Sequence, residues 1–223
     1  MPNRGAIRAW VHAETLVEAT MMSDADINAI IDQGTRDIST RFEWPFLAAT
    51  STIAFVANQQ AYNLPADFDR LAVALVDNTS TRLQEVSPES YWSSYGDVPA
   101  TGTPSYFLIW GSQLWVSPVP TAATGGLVIY YWRMPTLMTD DSHSPEFASQ
   151  FHLILADFAC QHLWHREEDF SKARAYGERF LEGVERMARY YLGRAQESPF
   201  VMGDGLDRIR RTGNLGWRFP FFP

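Results

Sequence analysis

A single cysteine, Cys160, excludes an intramolecular disulfide. Its setting between Ala159 and Gln161 on an apolar helical stretch reads as that of a buried small hydrophobe. No run approaches the ~18 apolar residues that a membrane span needs, and the most apolar stretch carries Asp157. No basic-then-apolar signal pattern opens the chain, because Arg8, His12 and Glu14 interrupt it. These absences predict a protein made and kept in a reducing aqueous compartment, with no membrane partner. Basic charge is scarce as well. Against 26 Asp and Glu stand 18 Lys and Arg, a net charge of −8, and such a surface repels nucleic acid rather than gripping it.

The motifs of common chemistries are also missing. There is no P-loop, G-x-G-x-x-G or G-x-S-x-G, and Gly96, Gly102 and Gly111 are scattered turn glycines. Asp67 and Asp69 form a carboxylate pair, but nothing makes one an acid and the other a base. His162 and His165 have a spacing that can bring two imidazoles to one metal, yet no Glu stands between them as in a zinc-protease helix. His162 reads instead as a helix-face residue near a turn. Asp140 and Asp141, followed by Ser142, Ser144 and Glu146, lack the alternating oxygens and central Gly of a calcium loop. Read as residues that favour a helix dipole, they need no ion. The expectation is a non-enzymatic protein with no catalytic residues, no metal and no cofactor.

What the chain has in quantity is aromatic area: 14% Phe, Trp and Tyr, with eight Trp. Such area suits a rich core or an extensive interface. Residues 145–196 read as two long helices. Phe147, Phe151, Ile154, Leu155, Phe158 and His162 recur at helical spacing, and so do Ala173, Tyr176, Phe180, Leu181, Val184, Met187 and Tyr191. The polar break Arg166-Glu167-Glu168-Asp169 is short enough to force an antiparallel hairpin. Near the start, residues 4–21 form an amphipathic helix marked by Ile7, Trp10, Val11, Leu16 and Val17. Ser23 opens a second, with Asp24 and Asp26 in its first turn, and Trp44-Pro45 ends it.

Between the helical pairs the period falls from 3.6 to 2. Strands are expected at 52–56, 71–76, 82–86, 106–110, 113–117 and 127–133, with a short helix at Ser87-Pro88-Glu89. The fold class expected is α+β. Two N-terminal and two long C-terminal helices make a four-helix bundle, carrying an inserted antiparallel β-sandwich or barrel-like module and an extended C-terminal arm. The boundaries are 1–47 and 139–197 for the bundle, 48–138 for the β module and 198–223 for the arm.

The arm has its own composition. Arg208, Arg210, Arg211 and Arg218 face only Asp207 after residue 206, and Trp217, Phe219, Phe221 and Phe222 crowd its end. An arm too short to build a core does not leave such area in water, so these eight residues are expected to dock on another chain, a portal or a neighbour; the alternative is that the arm folds back across its own subunit. Trp92, Trp110, Trp115 and Trp132 on the β module are interface or core aromatics. The rival reading makes them a sugar-stacking surface of a carbohydrate-binding or tail-accessory module.

Several stretches come in a familiar order. Trp44-Pro45-Phe46-Leu47 is followed by Gln60-Ala61-Tyr62-Asn63-Leu64-Pro65-Ala66-Asp67-Phe68 and Leu83-Gln84-Glu85-Val86-Ser87. Then come Gly102-Thr103-Pro104-Ser105-Tyr106, Leu114-Trp115-Val116-Ser117-Pro118-Val119-Pro120 and Tyr130-Tyr131-Trp132, before the helical pair. The series resembles the head-to-tail adaptor, or connector, proteins of tailed bacteriophages, especially podovirus-like ones. The resemblance implies a homo-oligomeric ring, usually of twelve copies, beneath the portal protein at the capsid vertex of the virion and assembled in the host cytoplasm. It further implies a platform for a tail nozzle or tail-tube protein, and double-stranded DNA that passes through the channel without specific binding. It implies no catalytic residue.

Overall fold

In the computed structural model the described residues are 2–15, 22–77, 81–95 and 100–196, side chains of 194–196 excepted. Ser23 does what its position predicts: its Oγ accepts from the Asp26 N–H at 3.2 Å, and the Asp26 carboxylate answers toward the Ser23 N–H at 3.4 Å. This capping box starts α2 (Asp24–Arg41). The helix stops at Phe42, which turns extended three residues before Pro45. α1 (Arg4–Thr15) precedes it, burying Ile7 and Val11; the expected continuation through Leu16 and Val17 lies outside the described residues.

The C-terminal hairpin consists of α4 (Ile154–Arg166) and α5 (Phe170–Gln196). Glu168 at φ 59° makes the reversal, and Asp169 caps α5 by accepting from the Lys172 N–H at 3.1 Å. The first of these helices is shorter than its apolar spacing predicts. Phe147 and Phe151 precede it, in an irregular segment that ends in a 3₁₀ turn over Ser149–Phe151.

The four helices do not form the expected bundle. α4 is buried through Ile154, Leu155, Ala156, Phe158, Ala159, Cys160 and Leu163, positions that cover roughly two thirds of its circumference at 100° per residue, with Asp157, Gln161 and Trp164 half-buried on the rest. It packs against α1, α2 and α5 at once. A helix apolar over so much of its surface belongs in the interior, and this one is a central rod with three neighbours rather than one corner of four. Two glycines permit the close approach. A Cβ on Gly34 of α2 would lie 2.8 Å from the Phe158 ring, and one on Gly183 of α5 would lie 2.7 Å from Ile154.

A fifth helix, α3 (Pro88–Tyr95), belongs to the β region. Among the described residues there, eight strands form two four-stranded sheets. The first contains β1 (Ala48–Ala54), β8 (Gly126–Arg133), β3 (Phe68–Val76) and β4 (Thr81–Arg82), in that order. The second contains β2 (Ala61–Asn63), β7 (Gln113–Ser117), β6 (Tyr106–Trp110) and β5 (Gln84–Glu85). Their inner faces share one cluster that includes Phe55, Tyr62, Val76, Phe107, Leu114, Leu127 and Ile129. Neither sheet closes, so the barrel alternative fails. Nor is the module wholly antiparallel, for β5 runs parallel to β6.

The strand expected at 82–86 is split at Leu83, which is buried. Its N–H donates to Ala74 O in the first sheet at 2.9 Å, while the next N–H, of Gln84, donates to Ser105 O beside the second sheet at 2.9 Å. The backbone changes sheets within one residue. A separate hydrophobic cluster holds the helices together and draws in Trp44, Leu47, Met138 and Phe147. Trp44 anchors the chain as it passes from α2 toward β1, its indole donating to Ile38 O at 2.7 Å.

Candidate interaction surfaces

The outward face of the second sheet carries three of the four tryptophans singled out above. Along β6, Tyr106, Leu108 and Trp110 alternate onto one face, and the antiparallel register brings Trp115 of β7 beside Leu108. Pro88 starts α3 across this face, and Tyr91 pins it. The Tyr91 hydroxyl donates to Val116 O at 3.0 Å and accepts from Gln60 Nε2 at 2.8 Å. Burial pushes the Tyr91 phenol above its ordinary pKa. With Tyr91 held, Trp92 meets Trp115 edge-on, 5.2 Å between centroids at 68°, and Tyr95 stacks on Tyr106 at 5.4 Å and 22°.

Trp92 and Trp115 are therefore brought together. Trp110 stands apart, 54% exposed beside the Gly111-Ser112 turn. Trp132 belongs elsewhere: it lies on β8 and packs against the helical cluster. Tyr106 was not among the candidates; its alternation with Trp110 along β6 was the signal that could have found it. Arg208, Arg210, Arg211, Trp217, Arg218, Phe219, Phe221 and Phe222 lie outside the described residues.

The polar candidates are occupied by the protein itself. Asp141 receives Arg8 Nη1 and Nη2 at 2.8 and 2.6 Å. This hydrogen-bonded guanidinium holds the Asp141 carboxyl below its usual range and raises the Arg8 pKa in turn. Asp140 closes its own turn by accepting from the Ser142 N–H at 3.0 Å, which lowers its pKa. The segment is tied to α1 by the Arg4 and Gly5 N–H groups, which donate to His143 O and Asp141 O at 2.8 and 3.1 Å. His162 lies against Phe158, 4.5 Å between rings, and burial lowers its pKa; His165 meets Phe170 edge-on at 5.3 Å.

On the hairpin, Asp157 is largely covered, and burial raises its carboxyl pKa although Arg179 approaches to 3.1 Å. Arg179 also lies over the Tyr176 ring at 4.9 Å, and the Tyr176 hydroxyl donates to Glu14 at 2.6 Å. This chain of contacts ties α5 to α1 across α4. His152 escaped the sequence reading. It is fully buried just ahead of α4, with its two ring nitrogens 2.6 Å from Pro2 O and 2.9 Å from Phe147 O. No group of His, Cys, Asp and Glu among the described residues is arranged to hold a metal ion, and no described helix is long and apolar enough to cross a membrane.

The organisation is that of surfaces, with exposed aromatic area at Trp92, Trp110 and Tyr130 on the β side and at Phe170 on the hairpin, and internally paired charge among the helices. A family model described as SU10 adaptor protein matches residues 4–203. No curated protein matches the chain.

Proposed function

This chain belongs to the SU10 adaptor protein family, and we propose that it is a head-to-tail adaptor whose copies form a ring beneath the portal. Membership makes it a structural phage adaptor, a component of the virion. In the finer reading, the ring prolongs the DNA channel and supplies the platform for a tail nozzle or tail tube. The match from residue 4 to residue 203 carries this reading, because it spans every described helix and strand.

Within the reading, residues 1–47 and 139–197 make the ring wall, and 48–138 form a module facing outward or toward the tail. Two distinct hydrophobic clusters support that division. A ring subunit needs two different flanks, each with an apolar centre. The exposed Trp92, Trp110, Tyr130, Leu153, Phe170 and Leu181 supply apolar area on several sides. The net charge of −8 suits a channel through which duplex slides, since each phosphate neutralised by a cation would add salt-sensitive grip. The aromatic and arginine residues of 208–222 are the arm that reaches another chain.

Sedimentation of the full chain with and without its portal, followed by electron microscopy, tests the proposal. The expected result is a monomer or weak oligomer alone and a closed annulus on the portal. Tight dimers indifferent to portal would count against it.

The exposure of Trp92 and Trp110 is what favours the carbohydrate reading. Quenching of tryptophan emission by glycans added to the unassembled chain would support it. Its weakness is geometric: Trp92 and Trp115 meet edge-on and offer no flat platform for a sugar ring.

A further inference from the structure

We propose that β1 is the seat of an exchanged strand, residues 214–219 of a second copy, which closes the open side of the β sandwich. The inference rests on the ring reading above for its supply of neighbouring copies.

A sheet edge presents a row of unpaired N–H and C=O groups, and native proteins guard such edges. Three of the four edges here are guarded. β2 has three residues, and β4 and β5 have two each. The outer side of β3 that β4 leaves uncovered carries Asp69 and Arg70, and its backbone is bent by register shifts at Phe68/Arg70 and Leu71/Val73. β1 has no such device. It runs for seven residues in unbroken register with β8, without charge, proline or bulge. Among the described residues its backbone is paired on the β8 side alone.

Its side chains describe the occupant. Ala48, Thr50, Thr52 and Ala54 alternate with Ala49, Ser51 and Ile53, so both faces are lined by small residues, Ile53 excepted. Ala49 and Ile53 belong to the inter-sheet cluster yet are only partly buried, because nothing described lies beyond β1. The fitting partner is an extended segment with large apolar residues on one face. Asn214-Leu215-Gly216-Trp217-Arg218-Phe219 has that form. Leu215, Trp217 and Phe219 share one side and would extend the cluster past Ala49 and Ile53. Gly216 and Arg218 would face solvent beside Thr50 and Thr52. Pro220, which lacks an N–H, ends the run after six residues, close to the length of β1.

Chain length favours the next subunit over the same one. Near the end of α5, Tyr191 packs on Phe46 with rings 5.2 Å apart, two residues before β1 begins. A strap returning to its own β1 needs only a few residues. Between Gln196 and Asn214 lie 17, enough to span roughly 55–60 Å when extended. That reach suits a neighbour.

The test uses full-length chains assembled on portal. Copies carrying Ser51→Cys are mixed with copies carrying Leu215→Cys, Trp217→Cys or Phe219→Cys, the residues placed on the same face as Ser51, then oxidised. Paired strands bring opposed Cα atoms to ~4.5–5.5 Å, within disulfide reach; Cys160 is buried and does not compete. The expected result is a disulfide between chains with at least one of the three partners. It should be accompanied by slowed amide exchange at alternate β1 residues on assembly, and both should vanish with Thr50→Pro, because the Phe55 N–H donates to Gly125 O on the β8 side and the alternation of the ladder turns the Thr50 N–H outward. A disulfide formed only within a doubly substituted chain overturns the exchange. Closed rings without any cross-link or protection overturn it too, while leaving the adaptor reading intact. Absence of rings overturns both.

Discussion

Cys160 shows how strongly one environment acts on one side chain. Enclosed in α4, its thiol is pushed up to about 12 by burial, with the Asp157 and Glu14 charges adding to the effect. The native protein should therefore leave a thiol reagent unconsumed at pH 8 and consume one equivalent when denatured; fast labelling of the native form would contradict the burial. Gly34 is the steric counterpart. Gly34→Ala puts a methyl group 2.8 Å from the Phe158 ring, and overpacking of this kind costs about 1–3 kcal/mol. Urea unfolding of G34A should show that loss despite the better helix propensity of Ala.

Asp141 acts through pH. Arg8 depresses its folded pKa, so its contribution is present above the unfolded carboxylate pKa and fades as pH falls through the lower folded value. Asp141→Asn should remove that part of the acid sensitivity below about pH 4 and leave the neutral-to-basic profile shape unchanged. The pair is solvent-accessible, so the difference should shrink in high salt. Thermal midpoints measured across pH at two salt concentrations check both statements.

At the scale of elements, local chemistry was readable and long-range partnership was not. Ser23, Pro45, Pro88 and the Gly111-Ser112 turn announce their structures because each acts on its own backbone within a few residues. Ser23→Ala should lower stability by about 1 kcal/mol in a denaturant titration, the usual effect of losing such a cap. α4 misled in a specific way. Its large residues fall on one stripe, while Ala156, Ala159 and Cys160, small and easily passed over, widen the apolar surface well beyond it. A stripe suggests a bundle; a rod apolar over most of its girth must be surrounded, and only tertiary contacts name what surrounds it. Likewise Arg82-Leu83-Gln84 has the period of one strand, and the exchange of partners at Leu83 depends on Ala74 and Ser105.

For the whole molecule, the aromatic content divided between two uses that composition could not separate. Trp44 and Trp132 serve the helical cluster, Trp92 and Trp115 brace α3, and Trp110 faces solvent. Of the site proposed from sequence, the aromatic band on the β side could be guessed from alternation, whereas Trp132 could not be assigned to the helical layer. Because Trp110 is exposed, Trp110→Ala should change folding stability by no more than about 0.5 kcal/mol. If that variant also joins portal and tail normally, this rim of the β side makes no contact in the assembled neck; a folded variant that fails to join marks it as a docking face.

Leu83 has a mechanical consequence. Because the covalent chain crosses from one layer to the other within a single residue, the sheets are stitched as well as stuck together. A shearing pull on either passes into the other along the main chain, against ladder bonds on both sides of the crossing. Side-chain contacts alone would let two plates slip; a seam makes them strain as one.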